Sequence, residues 1–181
     1  ENYNSSQEAA RAIGEMRAQM DERNLKVIMY TPETLTYPFS AAATSAQARG
    51  RIVEFYKKSM DDMMEFGTDQ LFCNPGWGPR DIPVEESWKR SVETFRIVCE
   101  YANKMDITLN IEQLQPYESN LVNTAEDLRR FVEDVGAQNM VCCLDIGAMA
   151  VVGDSIDDFY RAFPNRVKHV HFSDRNHGIP G

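Results

Sequence analysis

The chain has 181 residues, room for one compact unit with a sizeable core and little room for two. A formal charge of -9, from 19 Lys and Arg against 28 Asp and Glu, opposes a phosphate backbone and sets nucleic acid aside as a default partner. With 43% hydrophobic and 26% charged residues the composition is ordinary for a globular protein, and the longest charge-free run, residues 34–48, falls short of the roughly 20 apolar residues of a membrane span.

Ala9, Ile13, Met16 and Met20 recur at helical spacing and predict a helix over about residues 6–22. Leu25 to Tyr30 is a short β-prone run ending at Pro32, and is expected to be a strand. Ile52, Tyr56, Met60 and Met63 set one face of a helix from Gln47 to Phe66, with Gly67 suited to its C-terminus. The pattern then repeats: a strand over Asp69–Cys73, a turn-rich loop holding Trp77, and a helix over Glu85–Met105 with Trp88, Val92, Phe95, Cys99 and Ala102 on one side. Ile107–Glu112 is the next strand. Thr124 caps a helix with Asp127 at its third position and Gly136 stopping it. A strand over Met140–Asp145, a short helix over Ser155–Phe163 and a strand over Val167–Phe172 complete five strands alternating with helices.

Cys73, Cys99, Cys142 and Cys143 lack CxxC spacing and are read as buried, reduced thiols of a cytoplasmic protein, with a disulfide pair as the lesser alternative. Residue 1 is Glu, and no charged segment leads an apolar one, which is read as a processed, truncated or partial start without a visible signal peptide.

Strict βα alternation predicts an α/β fold with a parallel sheet, either doubly wound or closed into a (β/α)₈ barrel. No glycine-rich phosphate loop follows any strand, whereas Glu112, Asp145 and His171 stand at strand ends, where a barrel gathers its active site. By strand alternation Asn110 shares a face with Glu112, Cys143 with Asp145, and His169 with His171. Two carboxylates and an imidazole converging on one rim form a mixed oxygen and nitrogen donor set for a divalent ion. Taken singly, each carboxylate reads equally as a capping or loop residue, and His171 as a hydrogen-bonded core histidine.

The segments Ile111-Glu112 with Glu118 six residues on, Leu144-Asp145-Ile146-Gly147, and His169-Val170-His171-Phe172-Ser173-Asp174 resemble the xylose-isomerase-like sugar phosphate isomerase/epimerase barrels. The resemblance runs from Leu25 to Gly181. It implies a (β/α)₈ TIM barrel, with residues 1–181 a single incomplete domain holding about five of the eight βα units, from the third strand to the seventh. It further implies that Glu112, Asp145 and His171 bind a divalent metal, Mn²⁺ before Mg²⁺, Co²⁺ or Zn²⁺, with Glu112 also moving a proton.

Glu118 matches a substrate-contacting glutamate of these epimerases, or is a solvated loop carboxylate. Trp77 could cover the apolar face of a sugar, or serve as a lid that only buries area. Arg175 and His177 follow the last strand at the same rim and are candidates for contact with substrate oxygens. Ala148 stands where many members carry a substrate-binding histidine, so sugar contacts are expected to differ.

The activity implied is metal-dependent sugar isomerisation or epimerisation by proton abstraction next to a carbonyl. Elimination from an inosose or a 3-oxo C-glycoside, and a non-catalytic sugar-binding barrel, are the alternatives. The expected partner is a small carbohydrate, with neither nucleic acid nor membrane, and a homo-oligomer is left open.

Overall fold

A computed structural model describes residues 6–35, 39–174 and 178–179. The helices α1 (Ser6–Glu22) and α2 (Ala46–Met64) precede a run in which strand and helix alternate: β1 (Gln70–Cys73), α3 (Val84–Lys104), β2 (Thr108–Glu112), α4 (Ala125–Val135) and β3 (Met140–Asp145). Two short helices, α5 (Ile146–Val152) and α6 (Ile156–Ala162), lead to β4 (Val167–His171). The four strands form one parallel sheet in the order β1-β2-β3-β4, as successive crossover connections between neighbouring strands produce. No described helix is long and apolar enough to cross a membrane.

The fifth expected strand, Leu25–Tyr30, shrinks to a single residue. Tyr30 alone bridges to Leu71, its N–H donating to the Gln70 carbonyl at 2.9 Å while its own carbonyl accepts from Phe72 at 2.8 Å. The apolar side chains before it, Leu25 and Ile28, remain 55% and 71% exposed, so no packing layer rewards extension of the pairing.

Period-2 alternation divides the sheet into two unlike faces. Leu71, Cys73, Leu109, Ile111, Met140, Cys142 and Leu144 enter the core against α2, α3 and α4, whose buried faces include Tyr56, Phe95 and Phe131. Residues of the opposite face, Asn110, Glu112, Cys143, Asp145, His169 and His171, are mostly polar. Helix α4 begins with a reciprocal capping box between Thr124 and Asp127 and ends at Gly136, whose φ of 75° is the left-handed conformation that glycine adopts without strain.

Register decides which residues meet at the rim. Cys142 pairs with Val167 but Cys143 pairs with His169, so β4 carries one extra residue, Lys168, as a bulge. Beyond it Asp145 stands beside His171. Without that extra residue Val170 would occupy the place, and the imidazole would turn to the other face.

Candidate functional site

Glu112 is the last residue of β2 and is only 6% exposed. Its Oε1 meets Nδ1 of His171, the last residue of β4, and the Cys143 thiol donates weakly to the same oxygen across 3.9 Å. His171 is held by two rings, Phe72 with centroids 5.4 Å away and His169 at 5.2 Å and near a right angle. Burial pushes the Glu112 carboxyl above its usual range, against the contrary pull of His171, while Asp145 and Glu118 add like-charge repulsion. The Glu112 carboxylate raises His171 in turn, and partial burial opposes this. The two groups titrate as a pair coupled through the Oε1–Nδ1 contact. Burial and the neighbouring His171 lower His169.

Asp145 has two duties in its position. It ends β3 and is the N-cap of α5, its Oδ1 accepting from the Ala148 N–H at 2.6 Å. The helix-capping reading of this carboxylate is therefore realised, and it stands at the same rim beside His171. Gln113 ties the two strand ends together, its Nε2 donating to the Asp145 carbonyl at 2.8 Å. The buried Oε1 of Gln113 has no partner among the described residues, an acceptor left open in the wall of the site.

A cavity of about 510 Å³ opens at this rim and is lined by Glu112, Gln113, Glu118, Asp145, Ala148 and His171 among others. Gly147 lets the first turn of α5 lie against the segment after β4: a Cβ there would come within 2.7 Å of Ser173 Oγ and 2.9 Å of the Asp174 carbonyl. Glu118 both caps a turn, accepting from the Gln115 N–H at 2.9 Å, and faces the cavity. Trp77 lies in an adjoining cavity rather than beside Glu112. Its backbone is pinned on both sides by Ser40, whose Oγ accepts from the Trp77 N–H at 3.2 Å and donates to its carbonyl at 2.6 Å. Arg175 and His177 lie outside the described residues.

The donor chemistry suits a divalent cation. One oxygen of Glu112, one nitrogen of His171 and the sulfur of Cys143 lie within 4.8 Å of one another, and Asp145 adds negative charge nearby. A cation held there by Glu112 and His171 would offset the burial of the carboxylate. Burial and the adjacent Glu112 push the Cys143 thiol up in the absence of an ion. The place of Cys143 was open to sequence reasoning, since it shares a face with Asp145, but its contact with Glu112 depends on the register of β2 against β3, where the two residues are paired.

These features define a barrel-type sheet with a carboxylate–imidazole rim at the C-terminal strand ends. The sequence profile of the Xylose isomerase-like TIM barrel family matches residues 2–181, and the chain belongs to that family. It is 27% identical over 177 residues to the fructoselysine 3-epimerase of Escherichia coli O157:H7, covering 95% of this chain and 64% of the relative. It is 31% identical over 145 residues to the L-ribulose 3-epimerase of Mesorhizobium japonicum, covering 78% of this chain and 48% of that one. In fold it resembles the D-psicose 3-epimerase of Clostridium cellulolyticum H10 crystallised with D-tagatose, with a TM-score of 0.77 at 24% identity over 93% of this chain and 60% of that one. The chain thus spans less than two thirds of the length of these relatives.

Proposed function

We propose that the protein is a divalent-metal-dependent sugar epimerase, that Glu112, Asp145 and His171 hold the ion, with Mn²⁺ the first expectation, and that Glu112 moves the proton. Residues 1–181 then form part of one barrel domain. The carrying observation is the Glu112 carboxylate, buried at a strand end, set against His171 and opening on a cavity of about 510 Å³. The relatives' activities on fructoselysine and L-ribulose support the same reading.

The ion, when bound, supplies positive charge beside a carbonyl oxygen and makes the neighbouring C–H more acidic. Glu112 takes that proton. Its burial at the strand end keeps bulk water away from the carboxylate that takes the proton. His171 stands against the carboxylate at the neighbouring strand end, and Gln113 ties the Asp145 strand end to β2. Glu118, oriented by the Gln115 N–H, is placed to accept from a sugar hydroxyl, and its second oxygen is free of that turn contact. Isomerisation, epimerisation and elimination share the first proton transfer; the 3-epimerase relatives favour epimerisation.

Solvent deuterium tests this reading. With the full-length protein, Mn²⁺ and a panel of ketoses in D₂O, deuterium is expected at the carbon next to the carbonyl of at least one compound. Product that retains its original hydrogen there would point to internal hydride transfer and overturn the proton-transfer role.

The Glu112–His171 pair also sets a pH dependence. The imidazole must lose its proton before an ion can bind, and the Glu112 carboxylate raises His171 above the usual imidazole value of 6.5. Mn²⁺ affinity is therefore expected to weaken as pH falls through that raised value, already above pH 6.5, by about tenfold per pH unit when one proton is displaced. Calorimetric titration across this range checks it, and a flat profile would show that the pair is not the binding site.

A further inference from the structure

The cavity beside Glu112 does not end at Glu118. Glu118 and Leu35 also line a second cavity of about 430 Å³, so these two side chains form a neck between compartments. Each compartment falls in the range of about 300–1,000 Å³ typical of small-molecule sites. The first is the one that Glu112 and His171 line. The second lies beyond the neck, away from both.

Its walls have a definite chemistry. Trp77 and Tyr117 offer aromatic surface, the latter 71% exposed, while Arg80 and Asn120 offer donors. Asn120 Oδ1 accepts from the Gly78 N–H at 2.9 Å, which orients the amide and leaves its Nδ2 to donate. Arg80 makes no ion pair among the described residues, unlike Arg90, Arg129 and Arg130 on the neighbouring helices. The loop that carries Trp77 and Arg80 is anchored where it meets α3: a Cβ on Gly78 would lie 2.4 Å from Ser87 Oγ, and Ser40 holds Trp77 on both sides. These donors thus stand on a positioned wall.

We propose that this second compartment receives a carboxylate-ended substituent of about amino-acid size carried by the sugar, with its stem against Trp77 and Tyr117 and its carboxylate on Arg80 and Asn120. This deepens and rests on the epimerase reading. One arginine and an amide match a monoanion better than a phosphate dianion, because Glu118 at the neck repels negative charge and the chain as a whole carries -9. The role assigned to Arg80 is binding and specificity, with no part in the proton transfer.

The test uses the full-length protein loaded with Mn²⁺. Epimerisation is compared for a free ketohexose, the same ketose joined to an amino acid, and its phosphate ester, in the parent and in Arg80→Ala. The expected result is a KM lower for the amino-acid conjugate than for the other two. Arg80→Ala should raise that KM by about fivefold or more, with kcat and the free-sugar KM unchanged. Equal KM values for free and conjugated sugar, or an Arg80→Ala effect common to all three, would overturn the subsite while leaving the epimerase reading standing. Preference for the phosphate ester would overturn the carboxylate assignment.

Binding of the reduced conjugate, a sugar alcohol bearing the amino acid, is measured by calorimetry in parallel. This arm needs no turnover, so it separates failure of the subsite from failure of the chemistry. Weakening of that binding by Arg80→Ala supports the subsite whatever the activity, and binding indifferent to Arg80 removes it.

Discussion

Glu112→Gln is expected to lower deuterium exchange and turnover of the full-length enzyme by about 10²–10⁴-fold, the usual worth of a positioned general base. The amide keeps the size of the carboxylate and can still meet His171 Nδ1, so the cavity retains its shape. Stability should not fall with activity. Glu112 is buried, and burying an amide costs far less than burying a charge, so the variant should unfold no earlier than the parent in the absence of metal. Metal content is measured alongside, because the substitution also removes a ligand charge. Exchange near the parental rate with Mn²⁺ bound would take the proton-transfer role away from Glu112.

The largest expected effect on the fold lies in the helix layer. Phe131 on α4 is fully buried and meets Trp88 edge-on at 5.4 Å and Phe95 edge-on at 5.7 Å, both on α3; Phe95 in turn reaches Tyr56 of α2 at 5.8 Å. One ring thus joins a chain of aromatics across three helices. Phe131→Ala is expected to cost about 3–5 kcal/mol, from lost transfer energy and the cavity left behind. That is a large share of the 5–15 kcal/mol that holds a typical domain. Denaturant unfolding should show a lower midpoint at unchanged slope, and a loss below about 1 kcal/mol would mean that the layer closes around the gap.

How much of this was legible beforehand depended on whether the signal was local. The Thr124–Asp127 cap and Gly136 stop bracket α4 because both act within one turn of chain, and Met140–Asp145 reads correctly because its apolar run is continuous. The helices α2 and α3 show their apolar faces at the right spacing, with ends one or two residues from those expected. Leu25–Tyr30 has strand-like residues but lacks a layer to pack on, which no local pattern reveals. Helix α5 was missed because its N-cap, Asp145, also ends β3, and the strand's apolar run continues into the helix without a visible break. At the site, face-sharing by Glu112, Asp145 and His171 follows from alternation. That His171 touches Glu112 while Asp145 is taken up by Ala148 does not, for it depends on a one-residue bulge and on the packing of separate strands.

The four thiols have a consequence for how the protein meets oxidants. Cys73, Cys142 and Cys143 are fully buried and Cys99 is 2% exposed; burial pushes Cys99 and Cys142 up to about 12 and moves the other two in the same direction. Only a thiolate attacks a peroxide or a disulfide, so each sulfur is shielded twice, by the absence of a path and by the scarcity of the reactive form. Strand and helix packing together cover the four sulfurs, so sulfur chemistry is expected to open only where that packing has parted.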